Sequence, residues 1–307
     1  MIAPPRLKAG DRIGIAAPSS PVRRPLVLAG ARSLAEAGFR VVFGRSVFAR
    51  HGHLAGRDAA RAADLNRLLR DPDIRCVLLA RGGYGAMRLG ADVDWDAMRR
   101  DPKIFAGFSD ATFLHLGFAA RAGVRTLHGP NLQGMGKPVG AGLRRWITWV
   151  TTPHPPETAR SLGLPRRVAG PRGGAHGRVL GGNLMLLDYA VGTGLLPSLQ
   201  GALLVLEEVG ESPYRIDRML THLRLTGALR GIRGVALGSF QGCRARAGYP
   251  ELPLRAVLAE RLGGLGVPVR GGLPVGHGAR NVPFPLGARA TIDAARGRLV
   301  FEDGLVS

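Results

Sequence analysis

The sequence predicts an α/β protein in which short buried strands alternate with helices. Apolar runs end in Gly, Ser or Pro, and the stretches between them carry apolar residues at helical spacing. This alternation is typical of a parallel sheet, because each parallel connection needs a crossover helix that covers one face of the sheet. In chain order the predicted elements of the first half are strand RIGIAAPSS with a Pro/Ser turn at its end, helix VLAGARSLAEAGF, strand RVVFG, helix GRDAARAADLNRLLRD, strand IRCVLLARGG, strand IFAGFS and helix ATFLHLGFAARAG.

The length of 307 residues suits two domains of roughly 100–200 residues each. The periodic pattern weakens after Gln133, where TTPHPPET, GPRGGAHG and similar Gly- and Pro-rich stretches indicate a linker. We therefore predict a first domain over residues 1–133, a linker over 134–171 and a smaller α/β domain over 172–307. The predicted elements of the second domain are strand GALLVLEEV, helix YRIDRMLTHLRLTG, strand IRGVALGSF, helix LPLRAVLAERLGGLG and short strands around RATID and RLVFE.

The formal net charge is +21, and arginine supplies nearly all of it. One interpretation is a surface for nucleic acid or another polyanion, and the other is the arginine bias of a GC-rich genome. The arginines run from Arg6 to Arg298 without a dense block or interleaved aromatic residues, so we predict no nucleic-acid partner. The charge still favours anionic small substrates.

Cys76 and Cys243 are the only cysteines, which excludes a disulfide framework or a zinc cluster built on cysteine. We predict neither a metal nor a cofactor. The first twenty residues lack an apolar core of signal-peptide length, and no apolar run reaches the ~18 residues of a membrane span. These features predict a cytoplasmic protein with no membrane partner.

Three loops, APSS, RGGYG and GFSD, each follow a predicted strand. Ligands of open parallel sheets bind outside the carboxyl ends of the strands, so the three loops are expected on one rim. RGGYG matches neither a dinucleotide-binding loop nor a P-loop, but its glycines permit close approach of backbone N–H groups to a ligand. Ser109 in GFSD has two interpretations: an N-cap of the following helix, or a nucleophile on a sharp strand-to-helix turn.

A serine nucleophile needs a base and an acid that orients the base. His277 is flanked by glycines just after a predicted strand, which suits an exposed imidazole, and His128 in LHGPN is a candidate for the same rim as Ser109. Glu207 and Glu208 end the apolar strand of the second domain, and Glu211 follows them. An acid from that strand facing Ser109 would form a catalytic cleft between the domains.

With these residues identified, the sequence resembles the LD-carboxypeptidase family of serine peptidases. This is the muramoyl-tetrapeptide carboxypeptidase group, which also contains the microcin C self-immunity peptidases. The resemblance runs nearly end to end. It rests on GDRIGIAAPSSPV, GHLAGRDAARAADLNRLLRDPDIRCVLLARGGYGAMRL, GFSDATFLHL, LHGP, GRVLGGNL, LEEVGESPYRIDRML and PVGHGARNVPFPLGARATID.

The resemblance implies a flavodoxin-like first domain, a smaller α/β second domain and a homodimer. It implies a catalytic triad of Ser109, Glu207 and His277. The family more often has Glu-Asp where this chain has two glutamates, so Glu208 remains an alternative to Glu207, and Glu211 is a weaker one.

By the same resemblance, the backbone N–H groups of Asp110 and Gly83, with Gly82 as neighbour, form an oxyanion hole. Arg81 is a candidate for binding a substrate carboxylate. The implied substrate is murein tetrapeptide, cut between the L-centre of a diamino acid and terminal D-Ala during cell-wall recycling. The alternatives are a peptidase that cleaves aminoacyl-nucleotide antibiotics and, from charge alone, a non-catalytic nucleotide or nucleic-acid binder.

Overall fold

The computed structural model describes residues 1–136, 141–245, 248 and 250–307. Its strands form two sheets, and most strands of each half of the chain pair within their own sheet. In chain order the strands are β1 (Arg12–Ala16), β2 (Arg40–Phe43), β3 (Ile74–Leu79), β4 (Ile104–Gly107), β5 (Thr126–His128), β6 (Ser161–Gly163), β7 (Arg166–Ala169), β8 (Ala175–Asn183), β9 (Ala202–Val209), β10 (Gly234–Gln241), β11 (Val269–Gly271), β12 (Phe284–Leu286), β13 (Arg289–Asp293) and β14 (Arg298–Phe301).

Helices separate the strands as the periodicity predicts. Leu65, Leu68 and Leu69 have no exposed surface in their helix, which places its apolar side against the sheet. The helices are α1 (Arg24–Glu36), α2 (Asp58–Arg70), α3 (Trp95–Arg100), α4 (Ala111–Gly117), α5 (Leu132–Met135), α6 (Ala141–Thr151), α7 (Glu157–Arg160), α8 (Leu184–Tyr189), α9 (Pro213–Leu225) and α10 (Leu254–Gly263), with a 3₁₀ turn at Met87–Leu89 and a π-helical turn at Phe118–Ala122. None of the helices in this described part of the chain is long and apolar enough to cross a membrane.

The first sheet has the order β12-β5-β4-β3-β1-β2, and β1 to β5 are parallel. The order 2-1-3-4-5 of those five strands is that of flavodoxin-like folds. The predicted parallel sheet of the first half is therefore confirmed. Its central strand β3 is buried along almost its whole length, as expected for a strand covered on both faces.

The second sheet has eight strands in the order β6-β14-β13-β8-β9-β10-β11-β7. Strands β8 to β11 are parallel, and the strands outside them pair in antiparallel fashion. This sheet confirms the α/β class predicted for the second half, including the short strands around RATID and RLVFE.

The stretch predicted as a linker is largely folded, although its residues 137–140 lie outside the described residues. Within it, β6 and β7 extend opposite edges of the second sheet, and the side chains of Trp146 and Trp149 in α6 have no exposed surface. The elements α7, β6 and β7 have only three or four residues and are too brief to show a clear period, and the Gly- and Pro-rich turns on either side of α6 favoured the linker interpretation. The domain limits at 133 and 172 stay predictions.

Strand β12 joins the two halves of the chain. It belongs by sequence to the second half but pairs antiparallel with β5 in the first sheet. The largest apolar cluster accordingly contains Ile13 from the first sheet, Val205 from the second and Phe284 from β12. The chain between β11 and β12 therefore passes from one sheet to the other, and His277 lies on it.

Candidate active site

Ser109 lies in the tight turn between β4 and α4. Its φ is +68°, and it is the only non-glycine residue with positive φ in the described part of the chain. Such a conformation costs of order 1–3 kcal/mol and is found at strained functional turns, including nucleophile elbows. The Ser109 hydroxyl bonds to the His277 ring and not to the amides of the helix, so the geometry favours the nucleophile interpretation over the N-cap.

Ser109, His277 and Glu207 form one continuous hydrogen-bonded chain. The distance from Ser109 Oγ to His277 Nε2 is 3.0 Å, and the distance from His277 Nδ1 to Glu207 Oε2 is 2.8 Å. Glu207 has no exposed surface, whereas the His277 side chain is 20% exposed. A buried acid thus orients the imidazole through Nδ1–H, and Nε2 is left to accept the serine proton.

The two adjacent acids of β9 have different partners. The Glu207 side chain contacts His277, whereas the Glu208 carboxylate accepts hydrogen bonds from the Asn183 amide and from the backbone N–H of Met185. Successive side chains of a strand point to opposite faces of the sheet, which explains why the two adjacent acids have different partners. Burial raises the pKa of Glu208, and its hydrogen bonds oppose that shift. Glu211 forms an ion pair with a neighbouring arginine and not with the imidazole.

Two glycines follow β3, of which Gly82 lies against Ser109 and Gly83 lies against Ser20. A Cβ placed on Gly82 would be 2.8 Å from Ser109 Cβ and 3.1 Å from Ser109 Oγ. Gly83 has a φ of +112°, and a Cβ there would be 2.4 Å from Ser20 Oγ. Among the described residues, the N–H groups of Gly83 and Asp110 donate no hydrogen bond. Both donors are therefore available, as an oxyanion hole requires.

The Asp110 side chain has a positioning role that the sequence did not indicate. Its Oδ2 accepts hydrogen bonds from Ser19 Oγ at 2.6 Å and from the backbone N–H of Ala86 at 2.7 Å. Burial raises the pKa of this carboxyl, against the effect of those two bonds. Ser19, Ala86 and Asp110 itself follow β1, β3 and β4, so one carboxyl group connects the three loops expected on one rim.

The two remaining candidates lie differently. Arg81 donates a hydrogen bond to the Pro21 carbonyl at 2.6 Å and is half-buried. His128 does not line the rim, because its ring is fully buried and packs against the rings of Phe284 at 4.7 Å and Phe108 at 6.0 Å. Burial also holds the pKa of His128 well below its usual value. The expectation that His128 borders the substrate is therefore corrected.

Two side chains that the sequence analysis missed support the loop around His277. Ser239 Oγ accepts a hydrogen bond from the Gly278 N–H at 3.0 Å, and Asn281 Oδ1 accepts one from the Gly276 N–H at 3.1 Å. The one signal that could have pointed to Ser239 is its position as a polar residue near the end of the predicted strand IRGVALGSF. Nothing local in the sequence indicates which loop that serine contacts.

Replacement of Gly82 by Ala is expected to lower the hydrolytic rate constant by about 100-fold or more. The new methyl group would overlap Ser109, and misplacement of a reacting group by about 1 Å costs of this order. Steady-state kinetics on the purified variant would measure the loss. Gly163→Ala is the matched control, because a Cβ at Gly163 meets no atom within 4 Å. Equal rates for the two variants would contradict the proximity of Gly82 to the nucleophile.

His115 is expected to make the folded state sensitive to acid. Its Nε2–H donates to the Gly107 carbonyl and its Nδ1 accepts from Thr126 Oγ1, so the neutral ring joins β4 and β5 beside the nucleophile turn. Burial lowers its pKa from 6.5 to about 4. Between these pH values the unfolded chain binds a proton at this ring and the folded chain does not. The free energy of unfolding is therefore highest above pH 6.5 and falls as the pH falls.

At 1.36 kcal/mol per pKa unit, the free energy of unfolding should fall by about 3 kcal/mol from His115 alone as the pH drops from 6.5 to about 4. Urea titrations at several pH values would measure it. His115→Gln should flatten this dependence, whereas replacement of the exposed His51 by Gln should not. An unchanged slope in the His115 variant would rule the assignment out.

Family models match both halves of the chain. The family model for the LD-carboxypeptidase N-terminal domain matches residues 13–129, and the family model for the LD-carboxypeptidase C-terminal domain matches residues 176–292. A protein of Streptomyces coelicolor with a provisional carboxypeptidase name is 43% identical over 98% of this chain and 96% of its own length. The murein tetrapeptide carboxypeptidase of Pseudomonas aeruginosa is 33% identical over 94% of each chain.

A solved structure shows the same fold. The structure of MccF in complex with glutamyl sulfamoyl guanosine superposes with a TM-score of 0.86 and 25% sequence identity over the whole of both chains. The two matched family models together span more than half of this chain, and the N-terminal model precedes the C-terminal one. The chain therefore belongs to the LD-carboxypeptidase family.

Proposed function

We propose that this chain is a serine carboxypeptidase that releases the terminal D-Ala of murein tetrapeptide. The bond cut joins the L-centre of a diamino acid to D-Ala. The observation that carries the proposal is the chain of contacts from Ser109 through His277 to Glu207. The name of the Pseudomonas aeruginosa relative supports the choice of substrate.

The reaction begins when His277 Nε2 takes the Ser109 proton as Ser109 Oγ attacks the amide carbonyl carbon. Glu207 stabilises the imidazolium that forms. The tetrahedral intermediate then collapses, the C–N bond breaks, and His277 returns the proton to the leaving amine of D-Ala. Water next attacks the acyl-enzyme by the same route, which regenerates Ser109 and frees the shortened peptide as a carboxylate.

The negative charge of the tetrahedral intermediate needs hydrogen-bond donors. The backbone N–H groups of Asp110 and Gly83 are proposed for this role, since Asp110 directly follows Ser109, Gly83 follows the glycine that contacts Ser109, and neither N–H has an acceptor among the described residues. Each such donor contributes roughly 3–4 kcal/mol to the transition state in comparable enzymes. The Asp110 carboxyl adds a positioning role, because it holds the two loops at a constant distance from the nucleophile turn.

A second candidate function is hydrolysis of an aminoacyl-nucleotide antibiotic of the microcin C type. It is supported by the likeness to MccF in complex with glutamyl sulfamoyl guanosine, which extends over both whole chains. The two candidates share the nucleophile chemistry and differ in the leaving group, a D-amino acid in one case and a nucleotide-bearing group in the other.

The predictions of a homodimer and of a cytoplasmic location stay predictions.

A competition assay tests the proposal. The purified protein is supplied with murein tetrapeptide and an aminoacyl-nucleotide adduct at equal concentration, and both products are followed by mass spectrometry. Preferred release of D-Ala supports the first function, and preferred cleavage of the adduct supports the second. Failure to react with either compound or with a serine-directed acylating inhibitor, together with salt-sensitive binding to a polyanion, would favour the non-catalytic binder instead.

A further inference from the structure

A pocket of about 400 Å³ opens beside His277. It lies between the loop that carries His277, the chain after β5, and α6. Phe108, Pro130, Arg145, His277, Arg280 and Asn281 are among its lining residues. Its volume is at the lower end of the range for small-ligand sites, which suits a single amino acid better than a long peptide.

The pocket carries positive charge that no acid in it balances. Among the described lining residues, two are arginines and none is Asp or Glu. The Arg145 guanidinium donates to the backbone carbonyls of Thr158, Ala159 and Ser161, so it is held in place by neutral groups. Burial and the charge of Arg280 together lower the pKa of Arg145, which shows that the two guanidinium groups repel each other.

Arg280 is the arginine of this pair that is free to bind a ligand. It is exposed, and no side chain or carbonyl among the described residues accepts a hydrogen bond from it. It lies three residues after His277 on the same loop, and Asn281 fixes the start of that loop through the Gly276 N–H. A carboxylate placed between the two guanidinium groups would relieve their repulsion and accept charge-assisted hydrogen bonds.

The chemistry of the triad identifies which part of the substrate enters the pocket. His277 must give its proton to the leaving nitrogen, so the leaving residue has to lie beside Nε2 and not on the acyl side of Ser109. In a carboxypeptidase substrate the leaving residue carries the terminal carboxylate one carbon away from that nitrogen. We therefore assign the pocket that His277 lines to the leaving residue.

We propose that Arg280 binds the terminal carboxylate of the leaving residue and so restricts cleavage to the last amide of the chain. This inference rests on the proposed function and deepens it. Arg145 contributes positive potential from the wall of the pocket, and Phe108 and Pro130 provide apolar surface for a small side chain. The residue thus determines specificity for a free C-terminus and takes no part in proton transfer.

The test compares two substrates that differ in one group: the tetrapeptide with a free terminal carboxylate and the same peptide with a terminal carboxamide. Arg280→Gln should lower kcat/KM for the acid by about 10- to 100-fold, the range for loss of a charge-assisted hydrogen bond, and should change kcat/KM for the amide little. Arg280→Lys should restore part of the preference for the acid, because it keeps the charge without the planar fork.

Arg233→Gln is the charge-matched control. Arg233 is exposed and its backbone N–H bonds to the Ala202 carbonyl at the start of β9, whereas Glu207 lies five residues further along that strand, roughly 17 Å away at 3.3 Å per residue. It should leave both substrates unaffected. Equal loss on acid and amide in Arg280→Gln, or no loss on either, would overturn the inference while release of D-Ala by the unaltered chain keeps the proposed function intact.

If the unaltered chain releases no D-Ala, the proposed function fails, and binding decides the inference separately. D-alanine and D-alaninamide are then titrated into the protein by calorimetry. Preference for D-alanine that disappears in Arg280→Gln supports an anion-binding pocket. Equal binding of the two probes, or a preference that survives the substitution, rules it out.

Discussion

Ser109→Ala is expected to abolish release of D-Ala, with a fall in kcat of at least ~10⁴-fold. Removal of the nucleophile of a hydrogen-bonded triad typically costs about 10⁶-fold, and the residual rate comes from the oxyanion hole and binding alone. The substitution also removes the hydroxyl that His277 Nε2 contacts at 3.0 Å, so the imidazole has no proton to take. Single-turnover assays with murein tetrapeptide would measure the loss, and KM should change much less than kcat.

Ser20→Ala is a suitable control for that experiment, because Ser20 lies on the same rim and, among the described residues, its hydroxyl accepts a hydrogen bond from the Tyr84 N–H alone. Its rate should remain within about tenfold of the unaltered chain, since loss of one such bond costs about 1 kcal/mol. A serine-directed acylating inhibitor should label the unaltered chain and Ser20→Ala at Ser109, and should leave Ser109→Ala unlabelled. Sustained release of D-Ala by Ser109→Ala would refute the assignment of the nucleophile.

The second large effect is expected from Glu207→Gln, which should lower kcat by about 10³- to 10⁴-fold. The carboxylate of Glu207 accepts the Nδ1–H of His277 at 2.8 Å, and an amide in its place can present a donor that stabilises the wrong tautomer of the ring. The hydroxyl of Ser109 then faces a protonated Nε2 and cannot lose its proton. Steady-state kinetics should show the loss in kcat, and raising the substrate concentration should not restore the rate.

Glu208→Gln provides the matched comparison, because the two acids are adjacent in β9 and equally buried. Glu208 contacts Asn183 and the backbone at the start of α8 and makes no contact with His277, so activity should stay within about tenfold. Its main effect should be a loss of about 1–2 kcal/mol in the free energy of unfolding, measured by urea titration. A larger kinetic defect in Glu208→Gln than in Glu207→Gln would exchange the roles assigned to the two acids.

The alternation of strands and helices could be predicted from the sequence because it depends on local periodicity. Buried apolar runs such as IRCVLL must be strands covered on both faces, and the helix that contains Leu65, Leu68 and Leu69 shows its apolar side directly in the spacing. The placement of APSS, RGGYG and GFSD on one rim follows from the same pattern, since parallel strands share their carboxyl ends. The contacts of Asp110 with Ser19 and Ala86 agree with that placement.

Pairing between distant strands was beyond local patterns. Strand β12 is three residues long and crosses to the first sheet, where it pairs with β5. That pairing packs Phe284 against His128 and so removes from the rim a histidine that sequence position had suggested as a substrate contact. The segment around Trp146 and Trp149 was likewise hidden, because burial of the two indoles depends on surfaces contributed by remote strands.

By itself the sequence determined the α/β class, the alternation of strands and helices that indicates a parallel first sheet, and a short group of candidates that contains Ser109, Glu207 and His277. Only the tertiary structure decided that Glu207 and not Glu208 meets the imidazole, since adjacent strand residues face opposite sides and the packing of the sheets selects one side. It also decided that the Ser109 turn is strained and that its hydroxyl bonds to His277, because these contacts join residues 168 positions apart. Local sequence preferences specify the helices and strands, whereas the relative placement of the two sheets brings Ser109, His277 and Glu207 into contact.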